Sequence, residues 1–229
     1  FHGAGLIAHE LAHQWWGDLV TCADFRHIWL NEGFATWSEA YWREQSEGID
    51  AYRDEMESNR YLGGGTIFVE DPANFSSIFD IDLSYNKASW VVHMLRGILG
   101  DQDFFAGLAL YRERFAFGSA TTEDLQEVMQ DVSGRELRPF FQRWIYGAGY
   151  PTYRFAYLLE PQDDSTLIHV RVEQLQNEPV FEMPIRLRLV HALGSEDVVV
   201  ENTRREQHYL LTGPDDVTQV AFDPDEWIL

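Results

Sequence analysis

Two histidines four residues apart, His9 and His13, enclose a glutamate in the run His9-Glu10-Leu11-Ala12-His13. On an α-helix, positions i and i+4 lie one turn apart on the same face. Both imidazoles therefore reach a single metal ion, at about 2.0–2.1 Å per ligating nitrogen for zinc. Glu10 points about 100° further round the helix. It stands outside the ligand set, beside a metal-held water, where a carboxylate acts as a general base. A hydrolytic zinc site takes three protein ligands and leaves one position for water. The segment Trp29-Leu30-Asn31-Glu32-Gly33-Phe34-Ala35 offers the third ligand, with eighteen residues separating His13 from Glu32. That interval is long enough to finish one helix, turn, and return a carboxylate on a second, antiparallel helix. His9, His13 and Glu32 then form a His₂Glu site. The competing reading of the pentapeptide alone is an accidental match on a solvated helix face. Glu32, at a workable spacing in a helical context, argues against it.

The elements that must carry these residues are read from periodicity. Leu6, Ile7, Leu11 and Trp15 have helical spacing and predict a helix from Gly3 to Trp16, ending at Gly17-Asp18. A second amphipathic stretch runs from Asp24 to Gln45, and a third from Asp50 to Leu62 before Gly63-Gly64-Gly65. The segment Thr66 to Leu83 reads as loop. Helical spacing resumes from Tyr85 to Leu99, stops at Gly100, and returns over Asp103–Phe115, Thr122–Val132 and Leu137–Trp144. Thr122 is the expected N-cap of its helix, because an acceptor followed by acidic residues suits a helix start. The expectation for Glu39, two turns after Glu32, is an exposed helix carboxylate. The alternative is an acceptor for a ligand histidine; Asn31 is treated likewise. Trp15, Trp16, Trp29, Trp37 and Trp42 are expected to build core and pocket walls. His2, His27, His93, His169, His191 and His208 lack ligand-like spacing and count as ordinary residues.

After Gly147-Ala148-Gly149-Tyr150-Pro151 the apolar period becomes two. Tyr153–Leu159, Leu167–Val172, Phe181–Val190, Asp197–Val200, Tyr209–Leu211 and Val217–Phe222 read as short strands separated by turn clusters. The expected class is α+β. A mainly helical region, residues 1–150, holds the candidate site, and a small all-β sandwich occupies 151–229.

Composition limits the partners. Apolar residues make up 45% of the 229 residues, enough to bury a core and exclude intrinsic disorder. Seventeen basic against thirty-eight acidic residues give a formal charge of −21. Nucleic acid and anionic lipid are therefore poor partners, since phosphate binding needs Lys and Arg. Lys87 is the one lysine in the chain. The single cysteine, Cys22, permits no intrachain disulfide. No run of eighteen apolar residues predicts a transmembrane helix. The expectation is a soluble chain, cytoplasmic or exported, with composition selecting neither.

The blocks His9-Glu-Leu-Ala-His-Gln-Trp-Trp-Gly-Asp-Leu-Val-Thr21 and Trp29-Leu-Asn-Glu-Gly-Phe-Ala35 resemble the M1 family of zinc aminopeptidases, a group of gluzincins. The resemblance implies one zinc ion at His9, His13 and Glu32, with Glu10 as general base. Leu83-Ser84-Tyr85-Asn86-Lys87-Ala88 resembles the family's Tyr-x-Lys-Gly motif, which implies that Tyr85 stabilises the transition state; Ala88 stands where the family has glycine. Phe140–Trp144 followed by Gly149-Tyr-Pro151 resembles the passage from catalytic domain to β-sandwich domain. The implied fold of residues 1–150 is the helical part of a thermolysin-like catalytic domain. The family's Gly-x-Met-Glu-Asn motif, whose glutamate holds the substrate's amino group, is not among these residues. It is expected in an N-terminal part of the same enzyme that precedes Phe1. The implied function is removal of N-terminal residues from peptides. The alternative is a non-catalytic interaction module or inactive fragment in which zinc is a structural tie. Glu10 speaks against that alternative, because a structural site needs no base and is closed by four ligands. Epoxide hydrolysis, known in one branch of the family, is selected by none of these residues.

Overall fold

The computed structural model describes residues 2–177 and 179–229; the side chain of His2 lies outside the described set. The chain divides into two compact units, Phe1–Gly149 and Tyr150–Ile228.

The first unit is helical. Helix α1 (His2–Ala12) packs on α2 (Trp29–Glu47). Its buried side carries His9 and Ala12, whereas Leu6, Ile7 and Leu11 face outward at 60, 61 and 58% exposure. Helical spacing thus locates an apolar stripe on α1, but this stripe is not core among the described residues. The helix ends four residues before the expected Trp16. The turn that follows is closed by hydrogen bonds from Trp16 N to Ala12 O and Asp18 N to His13 O, with Gly17 at φ 140°.

Strand β1 (Val20–Cys22) follows, then a 3₁₀ turn (Phe25–His27) whose Asp24 side chain accepts from Arg26 N. The 3₁₀ turn lies where one continuous amphipathic stretch from Asp24 is expected, so α2 begins at Trp29 and not at Asp24. Asn31 Oδ1 accepts a hydrogen bond from Cys22 N and ties β1 to α2. Helix α2 buries Trp29, Phe34, Ala35 and Trp37 and ends at Gly48, φ 101°. Helix α3 (Ile49–Ser58) and the single turn α4 (Phe75–Ile78) come next. Trp16, Trp29 and Trp37 are buried as expected, but Trp15 and Trp42 are 46 and 39% exposed.

A π-helical turn (Ile81–Lys87), capped by the Asp80 side chain on Leu83 N, leads into α5 (Ala88–Phe115). Helix α5 is interrupted at Gly100, which takes φ 76° and ψ 161°, the stop that the glycine predicts. Strand β2 (Gly118–Ala120) pairs in parallel with β1. Helices α6 (Thr122–Ser133) and α7 (Arg138–Trp144) complete the unit. The N-cap of α6 is Thr121, not Thr122. Its hydroxyl accepts from Asp124 N, while Asp124 accepts from Thr121 N, a reciprocal capping box.

The second unit holds two three-stranded antiparallel sheets, ordered β3-β4-β7 and β6-β5-β8. The strands are β3 (Tyr153–Pro161), β4 (Thr166–Gln174), β5 (Met183–His191), β6 (Gly194–Asn202), β7 (Glu206–Gly213) and β8 (Gln219–Phe222). Alternate residues point inward: Ile168, Val170 and Val172 from one sheet, Ile185, Leu187 and Leu189 from the other. Tyr153 and Phe222 close one edge with ring centroids 5.2 Å apart.

Candidate metal centre

Helix α1 presents His9 and His13 to the first turn of α2, where Glu32 projects between them. His9 Nε2 and His13 Nε2 each lie 3.4 Å from the same oxygen, Glu32 Oε2. One ligating atom from each of the three residues falls within 4.8 Å of the others, and among the described residues no fourth Cys, His, Asp or Glu joins the group. His9 and Glu32 are buried, His13 half-buried. At 3.4 Å both contacts sit at the long end of the hydrogen-bond range. They match the edge of a tetrahedron, about 3.3 Å for ligands about 2.0–2.1 Å from a central zinc.

The outer ring nitrogens set the tautomers. His13 Nδ1 lies 3.0 Å from the Trp16 carbonyl oxygen, which can only accept. His9 Nδ1 lies 2.9 Å from Glu39 Oε1. Both Nδ1 atoms therefore carry hydrogen, and in the neutral rings both Nε2 lone pairs face the cluster. That donor set suits a divalent zinc: a carboxylate and two imidazoles, each imidazole held by an outer partner. Glu39 is thus a hydrogen-bond partner of His9, a candidate ligand, and not a free surface carboxylate. Gly5 lies close by: an added Cβ there would be 3.0 Å from Glu39 Oε2.

Charge reinforces the arrangement. Burial disfavours charge on His9, but the hydrogen bonds to Glu32 and Glu39 outweigh it and raise its pKa to about 9. Hydrogen bonding to Glu32 raises His13 as well, against the opposing effect of burial. Burial opposes ionisation of Glu32, yet the two histidines hold its carboxyl down at about 2. The cluster is a carboxylate between two basic imidazoles, and a cation displaces protons on entering it.

Tyr85 and Glu10 border this group. The Tyr85 ring lies nearly parallel to His9, centroids 6.1 Å apart at 15°. Burial, the Glu32 charge and the Glu10 charge push the phenol up to about 12, so it keeps its proton at neutral pH and remains a donor. Glu10 is exposed on α1. His9, Glu10, His13 and Glu32, singled out by spacing, and Tyr85, singled out by the resemblance, thus come from three segments to one place. Sequence reasoning missed the Trp16 carbonyl, since a backbone acceptor leaves no residue-type signature.

The family model for the peptidase family M1 domain matches residues 2–144. The chain belongs to peptidase family M1. Among M1 relatives, it is 37% identical over 155 residues to Aminopeptidase M1-D of Oryza sativa subsp. japonica, covering 63% of this chain and 18% of that protein. It is 37% identical over 159 residues to Aminopeptidase N of Lactococcus lactis subsp. cremoris, covering 65% and 19%. A longer match, 31% over 212 residues, is to Tricorn protease-interacting factor F2 of Thermoplasma volcanium, covering 86% and 26%. The crystal structure of Legionella pneumophila aminopeptidase A in complex with aspartic acid superposes with TM-score 0.77 at 23% identity, over 94% of this chain and 25% of that one. That likeness shows that the two share a fold. The chain spans about a fifth to a quarter of the length of these proteins.

Proposed function

We propose that this chain is the zinc-binding part of an M1 aminopeptidase that hydrolyses peptides from the amino terminus. The observation that carries this reading is the convergence of His9 Nε2 and His13 Nε2 on Glu32 Oε2, with Glu10 and Tyr85 beside them. In it, residues 1–150 are the helical part of the catalytic domain and residues 151–229 a β-sandwich domain. His9, His13 and Glu32 would hold one Zn²⁺. When bound, the zinc supplies Lewis acidity, which makes water nucleophilic near neutral pH and polarises a carbonyl.

The chain's own residues then have distinct tasks. Glu10 takes a proton from the attacking water onto its carboxylate and delivers it to the nitrogen of the leaving amine. Tyr85 O–H donates a hydrogen bond to the scissile carbonyl oxygen as negative charge develops there. Glu39 and the Trp16 carbonyl hold the two imidazoles in register. The preference for a free amino terminus is carried over from the relatives' names. In this reading the rest of such an enzyme supplies the group that binds the amine.

The test is metal analysis of the full-length protein together with hydrolysis of an aminoacyl chromogenic substrate. One zinc per chain is expected, and Glu10→Gln retains the metal while hydrolysis is nearly abolished. Metal lost together with activity in Glu10→Gln, or turnover unchanged by it, overturns the role of Glu10. A metal-free, inactive parent protein overturns the whole reading and leaves an interaction module.

A further inference from the structure

Helix α2 and the start of α5 meet at Gly33 and Ala88, and the meeting leaves no room for a second methyl. A Cβ built on Gly33 would lie 2.6 Å from Ala88 Cβ, 3.2 Å from its carbonyl carbon and 3.4 Å from its Cα. Non-bonded carbons rest at about 3.5–4.0 Å, so the shortfall against the Ala88 methyl is roughly 1 Å. The obstacle is a Cβ and backbone. Neither has a rotamer to swing away, and a larger residue at position 33 must move one helix relative to the other.

The location gives this contact its meaning. Gly33 follows the candidate ligand Glu32 directly. Ala88 follows the π-helical turn Ile81–Lys87 that carries Tyr85. On one side, Glu32 is bound to α1 through His9 and His13, and α1 is bound again to α2 through His9 and Glu39. Glu32 is carried on α2. Tyr85 is carried on the π-helical turn that leads into α5, and a side-chain hydrogen bond to Glu32 also joins the two. The Gly33–Ala88 contact is the place where the two bodies touch backbone to methyl.

We propose that Gly33 and Ala88 are a positioning pair whose single shared methyl sets the distance between Tyr85 and the ligand cluster. The inference rests on the peptidase reading above and assigns to that site a spacer which neither the ligands nor the base provides. The methyl of Ala88 fills the space that Gly33 leaves. The pair requires one methyl at the contact, on either helix, and excludes two.

The test moves the methyl. In the full-length protein, Gly33→Ala places two methyls in contact. The expected result is a kcat lower by roughly 10–100-fold, with KM within about twofold and zinc content retained. The swap Gly33→Ala with Ala88→Gly carries one methyl again and recovers most of kcat. Because the loss acts through Tyr85, adding Gly33→Ala to Tyr85→Phe gives little further loss. Thermal unfolding of the metal-free protein supplies a readout independent of turnover: Gly33→Ala lowers the midpoint and the swap restores most of it. Should Gly33→Ala not fold, the swap and Ala88→Gly, neither of which adds a second methyl, carry the test, and the swap must outperform Ala88→Gly in kcat. An active parent slowed by Tyr85→Phe but indifferent to Gly33→Ala overturns the spacer while leaving the peptidase reading intact. So does a swap that fails to restore kcat. An inactive parent, by contrast, removes the peptidase reading itself and the spacer's proposed task with it.

Discussion

His9 Nδ1 lies 2.9 Å from a carboxylate oxygen of Glu39, whereas His13 Nδ1 has only a backbone carbonyl, that of Trp16, at 3.0 Å. The two candidate ligands are therefore unequal. A carboxylate partner raises the electron density of its imidazole more than an amide carbonyl does, and it also fixes the ring's orientation. Removing Glu39 leaves His9 free to turn and to take the other tautomer. Glu39→Ala is expected to weaken zinc binding by roughly 10–100-fold. Glu39→Gln keeps an acceptor oxygen and is expected to lose less. Competition against a chelator of known affinity measures both, and equal affinity in the parent and Glu39→Ala would remove the proposed role.

In the proposed mechanism Tyr85 differs from the candidate ligands in when it acts. Its phenol, held protonated with a pKa of about 12 by burial and by the Glu32 and Glu10 charges, donates most strongly when the carbonyl oxygen becomes anionic. Tyr85→Phe keeps the ring beside His9 and removes the donor. The expected loss is about 2.7–4 kcal/mol of transition-state stabilisation, or roughly 10²–10³ in kcat. KM is expected to change little. Steady-state kinetics separate the two parameters, and a variant that loses only affinity would show that Tyr85 binds ground state and transition state alike.

The candidate site was legible because its parts are local. His9 and His13 are one helical turn apart, and Glu32 sits in a block whose residue types identify it. The outer partners were legible only where they are side chains on a helical repeat. Glu39, seven residues from Glu32, was within reach of that logic, although exposure was the expectation for it. The Trp16 carbonyl and the Gly33–Ala88 contact were not, because a backbone acceptor and a bare Cα are visible only once two segments are packed together.

The fold shows the same division. Glycines and changes of period marked Gly48, Gly100 and the passage to the sheets. Strands β1 and β2 went unseen: each is three residues long, and they pair across almost a hundred residues of sequence. On α1 the apolar period correctly indicated a helix. It said nothing of what covers Leu6, Ile7 and Leu11, since periodicity defines a face and not its neighbour.

Thr121 and Thr122 were one residue apart in the choice of cap, and their different partners make a stability prediction. Thr121 shares the capping box with Asp124 at the start of α6. Thr122 is 1% exposed and its Oγ1 accepts from Trp29 Nε1 at 2.9 Å and lies 2.9 Å from His27 Nδ1. Thr121→Ala is expected to cost about 1 kcal/mol. Thr122→Val keeps the shape and leaves a buried indole N–H unpaired, so it is expected to cost more, about 1–3 kcal/mol for the orphaned donor together with the lost contact to His27. Denaturant unfolding of the two variants gives the order; a larger loss in Thr121→Ala would contradict it.

Lys87 supplies a pH dependence of known sign. Its side chain is fully buried, and the acceptor recorded for its ammonium is the Gly65 carbonyl oxygen at 3.1 Å. Burial without a carboxylate pulls its pKa down to about 8 from 10.5. Below about pH 8 the folded and unfolded chains both hold the proton, and the folded chain bears the cost of a buried charge. Between about 8 and 10.5 the folded chain releases that proton while the unfolded chain still holds it. The unfolded state then binds more protons, so the contribution of Lys87 to stability rises with pH and is lost as pH falls through about 8. A shift of this size corresponds to roughly 3 kcal/mol. Lys87→Met, apolar and of similar length, has no such term. It is expected to be more stable than the parent at pH 7, with the difference shrinking steadily between pH 8 and 10. Unfolding midpoints of both proteins across that range test this, and a constant difference would mean that Lys87 is charged throughout.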